Sequence, residues 1–275
     1  VIGMDAPIGV FDSGVGGLTV ARELFRLLPQ EDVVYFGDVG RAPYGGRSKE
    51  IITKFTHQDV AFLTEHRVKF IICACNTASA VALDDVSKNY AAPMVGVIEP
   101  GAMAAVSQTQ NGRIGVIGTT ATISSNAYAR VIHDQDAAIK VFSLACPLFV
   151  PLAAEGYIDR EATYLIAKDY LRTMQDVEVD TLILGCTHYP LLKHVIADVM
   201  GEKVTLIDSG EETARTAHRL LTERALLHSR SSQRPTTCGE HKFFVSDVPE
   251  KFSQVAMRFL GKVVDNIARV DISRY

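Results

Sequence analysis

Along most of this chain, apolar runs of strand length alternate with apolar stripes at helical spacing. Ile8 to Phe11 is an uninterrupted apolar run and reads as a strand. Leu18, Ala21, Phe25 and Leu28 then recur at spacings of three, four and three, the stripe of an amphipathic helix, and Pro29 closes it. Val33 to Phe36 reads as a second strand, and Ser48 suits the N-cap of a helix running through His66. Phe70 to Cys73 is a third strand, an alanine-rich helix follows from Asn76, and Met94 to Ile98 is a fourth strand. Towards the C-terminus, Glu211 to Leu227 reads as a helix and His228 to His241 as a loop rich in turn formers. A strand near Phe243 to Val245 and a helix near Glu250 to Leu260 follow.

Midway, the pattern restarts. IGVFDS at Ile8 to Ser13 is echoed by IGVIGT at Ile114 to Thr119, each ending an apolar strand and opening towards a helix. A cysteine follows at similar distance in each half: 62 positions from Ser13 to Cys75, and 67 from Thr119 to Cys186. The spacing points to a duplicated α/β half. Strands that alternate with helices form parallel sheets covered on both faces, with ligands at the carboxyl ends of the strands. Both cysteines fall at such ends.

Composition narrows the function classes. The chain has 275 residues, 47% of them hydrophobic and 22% charged, enough for one large or two medium globular domains. The net charge is −4 and no block of lysine or arginine marks a nucleic-acid surface. No apolar run approaches the roughly 20 residues of a membrane helix. The opening VIGMDAPIGVF lacks the charged region and apolar core of a signal peptide, and Met4 is the expected natural start. Five cysteines form no disulfide framework, so the expectation is a reduced, cytoplasmic protein with mostly buried thiols.

The stretches FIICACNTAS and LILGCTHYPL place Cys75 and Cys186 alike, just ahead of a helix. Two inert buried thiols are the plain reading. Against it, a helix N-terminus favours thiolate, and the neighbours Asn76, Thr77, Thr187 and His188 all form hydrogen bonds. Three chemistries use such a pair. A redox disulfide normally has close C-x-x-C spacing, and these cysteines lie 111 positions apart. A zinc set of Cys73, Cys75, Cys186 and His188 would follow no known spacing. Inversion at a carbon needs a base on one face and an acid on the other, and two matched thiols supply both. With an ordinary pKa of about 8.5, either form is within reach.

Such an inversion also needs donors for developing negative charge, and Ser13, Asn76, Thr77 and Thr187 are short donors at strand ends. The segment FDSGVGGLT fails the G-x-G-x-x-G spacing and has no P-loop lysine. Its glycines, Gly14, Gly16 and Gly17, would let backbone approach a small ligand, with Asp12 and Ser13 facing it; an N-cap-like role for Asp12 is the alternative. APYGGRS reads only as a turn, and Cys73, Cys146 and Cys238 as structural.

Taken together, IGVFDSGVGGLTV, APYGG, CNTAS, GVIEPG and LGCTHYPLL resemble the glutamate racemases of the cofactor-independent aspartate/glutamate racemase superfamily, from about Ile8 to about Thr213. The resemblance implies two pseudo-symmetric three-layer α/β domains with mainly parallel sheets and an active site in the cleft between them. The first domain would comprise residues 1–97 plus 207–275 and the second 98–206. It implies opposed bases, Cys75 acting on the D-enantiomer and Cys186 on the L-enantiomer, with Asp12, His188 and Glu155 assisting proton movement. Substrate contacts are implied at Asp12, Ser13, Tyr44, Gly45, Asn76, Thr77, Thr187 and His188, and Thr119 joins them through its echo of Ser13. It further implies glutamate as substrate, no cofactor or metal, no cell-wall-precursor activator, a homodimer, and D-glutamate made for peptidoglycan in a bacterial cytoplasm. Racemisation of aspartate or another amino acid, and an amino-acid binding protein without catalysis, remain as rival readings.

Overall fold

The structure, a computed structural model, describes residues 3–228 and 238–275. Most of the sequence-predicted loop from His228 to His241 lies outside the described residues. The first half runs β1 (Ile8–Asp12), α1 (Leu18–Leu27), β2 (Val33–Gly37), α2 (Lys49–Glu65), β3 (Phe70–Cys73), α3 (Asn76–Val81), α4 (Leu83–Val86) and β4 (Met94–Gly96). The second half runs α5 (Ile98–Gln108), β5 (Arg113–Gly118), α6 (Thr120–Ser124), α7 (Ala127–Gln135), β6 (Lys140–Ala145), α8 (Phe149–Ala154), α9 (Glu161–Asp176) and β7 (Thr181–Gly185). A 3-10 turn (Tyr189–Leu192), α10 (Lys193–Met200) and β8 (Thr205–Asp208) complete it. The tail adds α11 (Ser209–Glu223), β9 (His241–Val245), α12 (Pro249–Leu260) and β10 (Ile267–Arg269).

Among the described residues, two parallel sheets form, ordered β10-β9-β2-β1-β3-β4 and β6-β5-β7-β8. The order β2-β1-β3-β4 in the first matches β6-β5-β7-β8 in the second, so the repeat seen in sequence is a repeat of topology. The chain leaves the first sheet after β4 and returns to it only with β9, through α11.

Pleat geometry explains why the strands are apolar on both faces. Ile8, Val10, Val33, Tyr35, Phe70 and Ile72 face α1, α11 and α12, while Phe11, Val34, Phe36 and Ile71 face α2 to α4. In the second sheet, Leu182 and Leu184 pack under α8 to α10, and Ile114, Val116 and Ile183 under α5 and α7. Each such side chain, fully buried, contributes roughly 1.5–3 kcal/mol.

Helix ends follow their caps. The Ser48 hydroxyl accepts from the Ile51 N–H, starting α2 at Lys49 as the sequence predicts. Helix α11 begins at Ser209, earlier than predicted, because the Asp208 carboxylate accepts from the N–H groups of Gly210 and Glu211. Helix α12 begins at Pro249, whose missing N–H costs nothing there. The fourth strand ends at Gly96, short of the predicted Ile98. The apolar run continues from strand into α5 without a break, and periodicity alone cannot divide it.

Candidate active site

The carboxyl ends of β1 and β3 meet those of β5 and β7, and the side chains gathered there are almost wholly buried: Cys75 is 4% and Cys186 6% exposed. Cys75 is the N-cap of α3. Its Sγ accepts from the Ala78 N–H at 3.4 Å and lies 3.4 Å from the Ser13 Oγ. Cys186 follows β7 directly, with its Sγ 3.9 Å from His188 Nδ1. Asp12, at the end of β1, links the two sides. Its Oδ2 accepts from the Gly14 N–H at 2.9 Å, and its Oδ1 accepts from the Thr187 hydroxyl at 3.4 Å.

The glycine loop exists to make this approach possible. A Cβ at Gly16 would lie 2.2 Å from Thr187 Oγ1 and 2.7 Å from His188 Nδ1, and one at Gly17 would lie 2.5 Å from Asp12 Cβ. Any side chain at Gly16 would push the two halves apart. The Tyr35 hydroxyl donates to the Gly14 carbonyl at 3.1 Å and steadies the loop from below.

On the other side of the cleft, the Thr77 and Thr119 hydroxyls are 2.9 Å apart, Thr122 is 3.0 Å from Thr119, and Thr119 caps α6. Gly45 packs against Thr119, where a Cβ would come within 2.6 Å of the Thr119 Cβ, and its carbonyl accepts from the Ala121 N–H at 3.0 Å. Asn76 accepts from the Tyr128 hydroxyl through Oδ1 at 2.6 Å, while its buried Nδ2 has no partner among the described residues. An unpaired buried donor is costly unless a ligand takes it up.

Of the predicted residues, Asp12, Ser13, Gly45, Asn76, Thr77, Thr119, Cys75, Cys186, Thr187 and His188 come together through these contacts. Tyr44 stands beside them, but its hydroxyl turns into a buried network, within hydrogen-bond reach of Asp38 and of Asp59 Oδ2 (2.9 Å), with Arg41 paired to both carboxylates. Glu155 is exposed at the C-cap of α8. The Cys73 Sγ turns to the Cys75 carbonyl at 3.5 Å, within the core under α2 to α4. Among the described residues, no three His, Cys, Asp or Glu side chains gather as a metal ion would need. Three contributors escaped the sequence reading: Tyr128, Asp38 and Asp59. No motif marks them: the partner of Tyr128 lies 52 positions away, and Asp38 and Asp59 meet Tyr44 and Arg41 only in the fold.

The electrostatics correct one expectation. The helix start was expected to favour thiolate at Cys75. Burial instead pushes its thiol up to about 11, helped by the nearby Asp12 charge and opposed by Ser13 and the Ala78 N–H. Cys186 is raised further, chiefly by burial, with the Cys75 and Asp12 charges adding to it and the His188 N–H opposing. Burial also raises Asp12 to about 6, against the N–H groups of Gly17 and Gly14, and lowers His188 to about 4, so its imidazole is neutral. At neutral pH the site therefore holds two thiols, a carboxylate whose charge acts on both, and a neutral imidazole 3.9 Å from the Cys186 Sγ. That set can pass protons in either direction across whatever sits between the sulfurs.

Comparison with known proteins agrees with this geometry. The Asp/Glu/Hydantoin racemase family model matches residues 9–217. A glutamate racemase of Geobacter metallireducens is 49% identical over 265 residues, 96% of each chain, and one of Chlorobaculum tepidum is 47% identical over 98% of this chain and 97% of its own. The structure of a Francisella tularensis glutamate racemase in complex with D-glutamate superposes with a TM-score of 0.91 at 41% identity, covering 99% of this chain and 100% of that one.

Proposed function

The chain belongs to the Asp/Glu/Hydantoin racemase family, and from that premise we propose that it interconverts L- and D-glutamate by two-base proton transfer, with one cysteine on each face of the α-carbon. The observation that carries this reading is the contact across the cleft. Ser13, whose hydroxyl lies 3.4 Å from the Cys75 Sγ, adjoins Asp12, and Asp12 accepts from the hydroxyl of Thr187, which adjoins Cys186, so a short chain of contacts links the two thiols.

Each group then has a task. Cys75 takes the α-proton from the D-enantiomer and Cys186 from the L-enantiomer, while the opposite thiol returns a proton to the other face. Whichever cysteine acts as the base must first lose its own proton, while the other stays a thiol. Asp12, a carboxylate at neutral pH, accepts it on the Cys75 side, and the neutral His188 on the Cys186 side. The ammonium group of the substrate stabilises the thiolate once bound, offsetting the burial that keeps both thiols protonated beforehand. Negative charge left on the α-carbon spreads into the substrate's own carboxylate, where Asn76 Nδ2, Thr77, Thr119 and Thr187 supply donors. The chemistry needs no pyridoxal phosphate and no metal. In the cell this activity would supply D-glutamate for peptidoglycan in the cytoplasm, from a homodimer.

Optical rotation tests the proposal. Protein dialysed against chelator, without added pyridoxal phosphate, should carry L- or D-glutamate to zero rotation and leave aspartate unchanged. Racemisation of aspartate but not glutamate would redirect the substrate assignment. An unchanged rotation with every substrate would return the protein to the class of binders.

A further inference from the structure

We infer that Tyr128 is a positioning residue for substrate recognition: from the second half of the molecule, it fixes the amide of Asn76 so that Nδ2 is presented to a carboxylate of the substrate. The inference rests on the reading above that Asn76 contacts glutamate.

Four observations carry it. Tyr128, on α7, is 2% exposed, and its hydroxyl donates to Asn76 Oδ1 at 2.6 Å, across the boundary between the two sheets. Asn76 is itself 2% exposed, and its Nδ2 has no partner among the described residues. The Tyr128 ring is held on both edges by glycines: a Cβ would lie 3.2 Å from it at Gly185 and 3.4 Å from it at Gly101. Ser209, whose hydroxyl donates to the Leu184 carbonyl at 3.2 Å, packs against the same Gly101. The ring thus has one seat and its hydroxyl one aim.

The chemistry of a primary amide gives this contact its meaning. The oxygen and nitrogen ends have nearly the same shape, and only their partners decide which end faces where. With the oxygen end fixed by a phenol O–H, the NH2 end must face away from Tyr128. A carboxylate is acceptor-only and is the natural partner for an isolated NH2. Because Tyr128 and Asn76 come from different halves, the aim of the donor depends on how the two halves meet.

Tyr128→Phe removes one oxygen and keeps the ring. It should raise KM for both enantiomers of glutamate about tenfold, the factor a single misaligned hydrogen bond to a charged group supplies, with kcat within about threefold of the wild type. The melting temperature should move by only a few degrees. Asn76→Ala should raise KM by at least as much. In the Asn76→Ala background, Tyr128→Phe should change KM by less than about twofold, because the phenol then has no amide to orient. An unchanged KM in Tyr128→Phe alongside a raised KM in Asn76→Ala would overturn the inference. So would a tenfold effect of Tyr128→Phe in both backgrounds, which would mean that the phenol acts without the amide. An unchanged KM in Asn76→Ala itself would instead remove the reading on which the inference rests, and the two failures are thereby told apart.

Discussion

In the first half of the molecule, β1 ends in the carboxylate Asp12, and β3 leads into Cys75 as the N-cap of a regular α-helix. In the second, β5 ends at Gly118 with only the Thr119 hydroxyl beyond it, and β7 leads into Cys186 with a 3-10 turn and His188 behind it. Topology and thiol are repeated; the groups around the thiol are not. One side carries the Asp12 carboxyl, raised to about 6, the other the His188 imidazole, lowered to about 4. A duplicated scaffold therefore places a thiol just beyond a strand in each sheet, and on the proposed mechanism each thiol has its own proton partner.

The strongest way to break this comparison is to remove either sulfur. Cys75→Ala and Cys186→Ala should each lower kcat by more than about 10³-fold in both directions, since each direction needs one thiol as base and the other as acid. A variant that racemised at near-normal rate would show that its half is dispensable.

Next in size is Asp12→Asn, with an expected loss of about 10²–10³ in kcat/KM. The wild type should lose kcat/KM as pH falls through about 6, where Asp12 takes up its proton. Stability should move the other way. The folded pKa of Asp12 is raised from 3.8 to about 6, so between those values the native state binds the proton more tightly than the unfolded chain. Ionisation above pH 6 then costs on the order of 3 kcal/mol. The neutral Asn escapes that cost, so Asp12→Asn should melt about 5 °C higher than the wild type at pH 7.5 and no higher near pH 4. Calorimetry at the two pH values checks the sign.

His188→Asn should sharpen the comparison rather than break it. An expected loss of about tenfold to a hundredfold in kcat should fall mainly on the direction that starts from L-glutamate, where Cys186 is the base, with KM for L-glutamate falling alongside it, because an equilibrium constant of one between enantiomers keeps kcat/KM equal in the two directions. Equal losses of kcat in both directions, measured from each pure enantiomer, would contradict the division of labour. The smallest effect belongs to Glu155→Gln. That side chain is exposed at the end of α8, and its replacement should change kcat/KM less than about threefold.

What was legible in sequence was local. Strands β1, β2 and β3 and the helices that follow them announce themselves because their apolar runs are short, pure and bounded by turn formers. The two cysteines stood out because each ends such a run in a similar way. The protonation state of those cysteines was not legible. A helix start favours thiolate, but the depth of burial decides the outcome, and burial is a property of the assembled sheets. Tyr128 escaped notice for a related reason. Its partner Asn76 lies 52 positions away, and no pattern around Tyr128 marks it. Tyr44 was legible as part of a turn, yet the destination of its hydroxyl depends on Asp38 and Asp59 meeting beneath it.

The claim that one thiol stands on each face is tested most directly by following the α-hydrogen in deuterated water at early times, starting from pure L-glutamate. Two separate bases, each handling a single proton, predict that the D-glutamate formed carries solvent deuterium while the remaining L-glutamate keeps its hydrogen. The same pattern should appear in reverse from D-glutamate. Deuterium accumulating in unreacted starting enantiomer as fast as in product would mean that a single group serves both faces, and the two-sided account would fail.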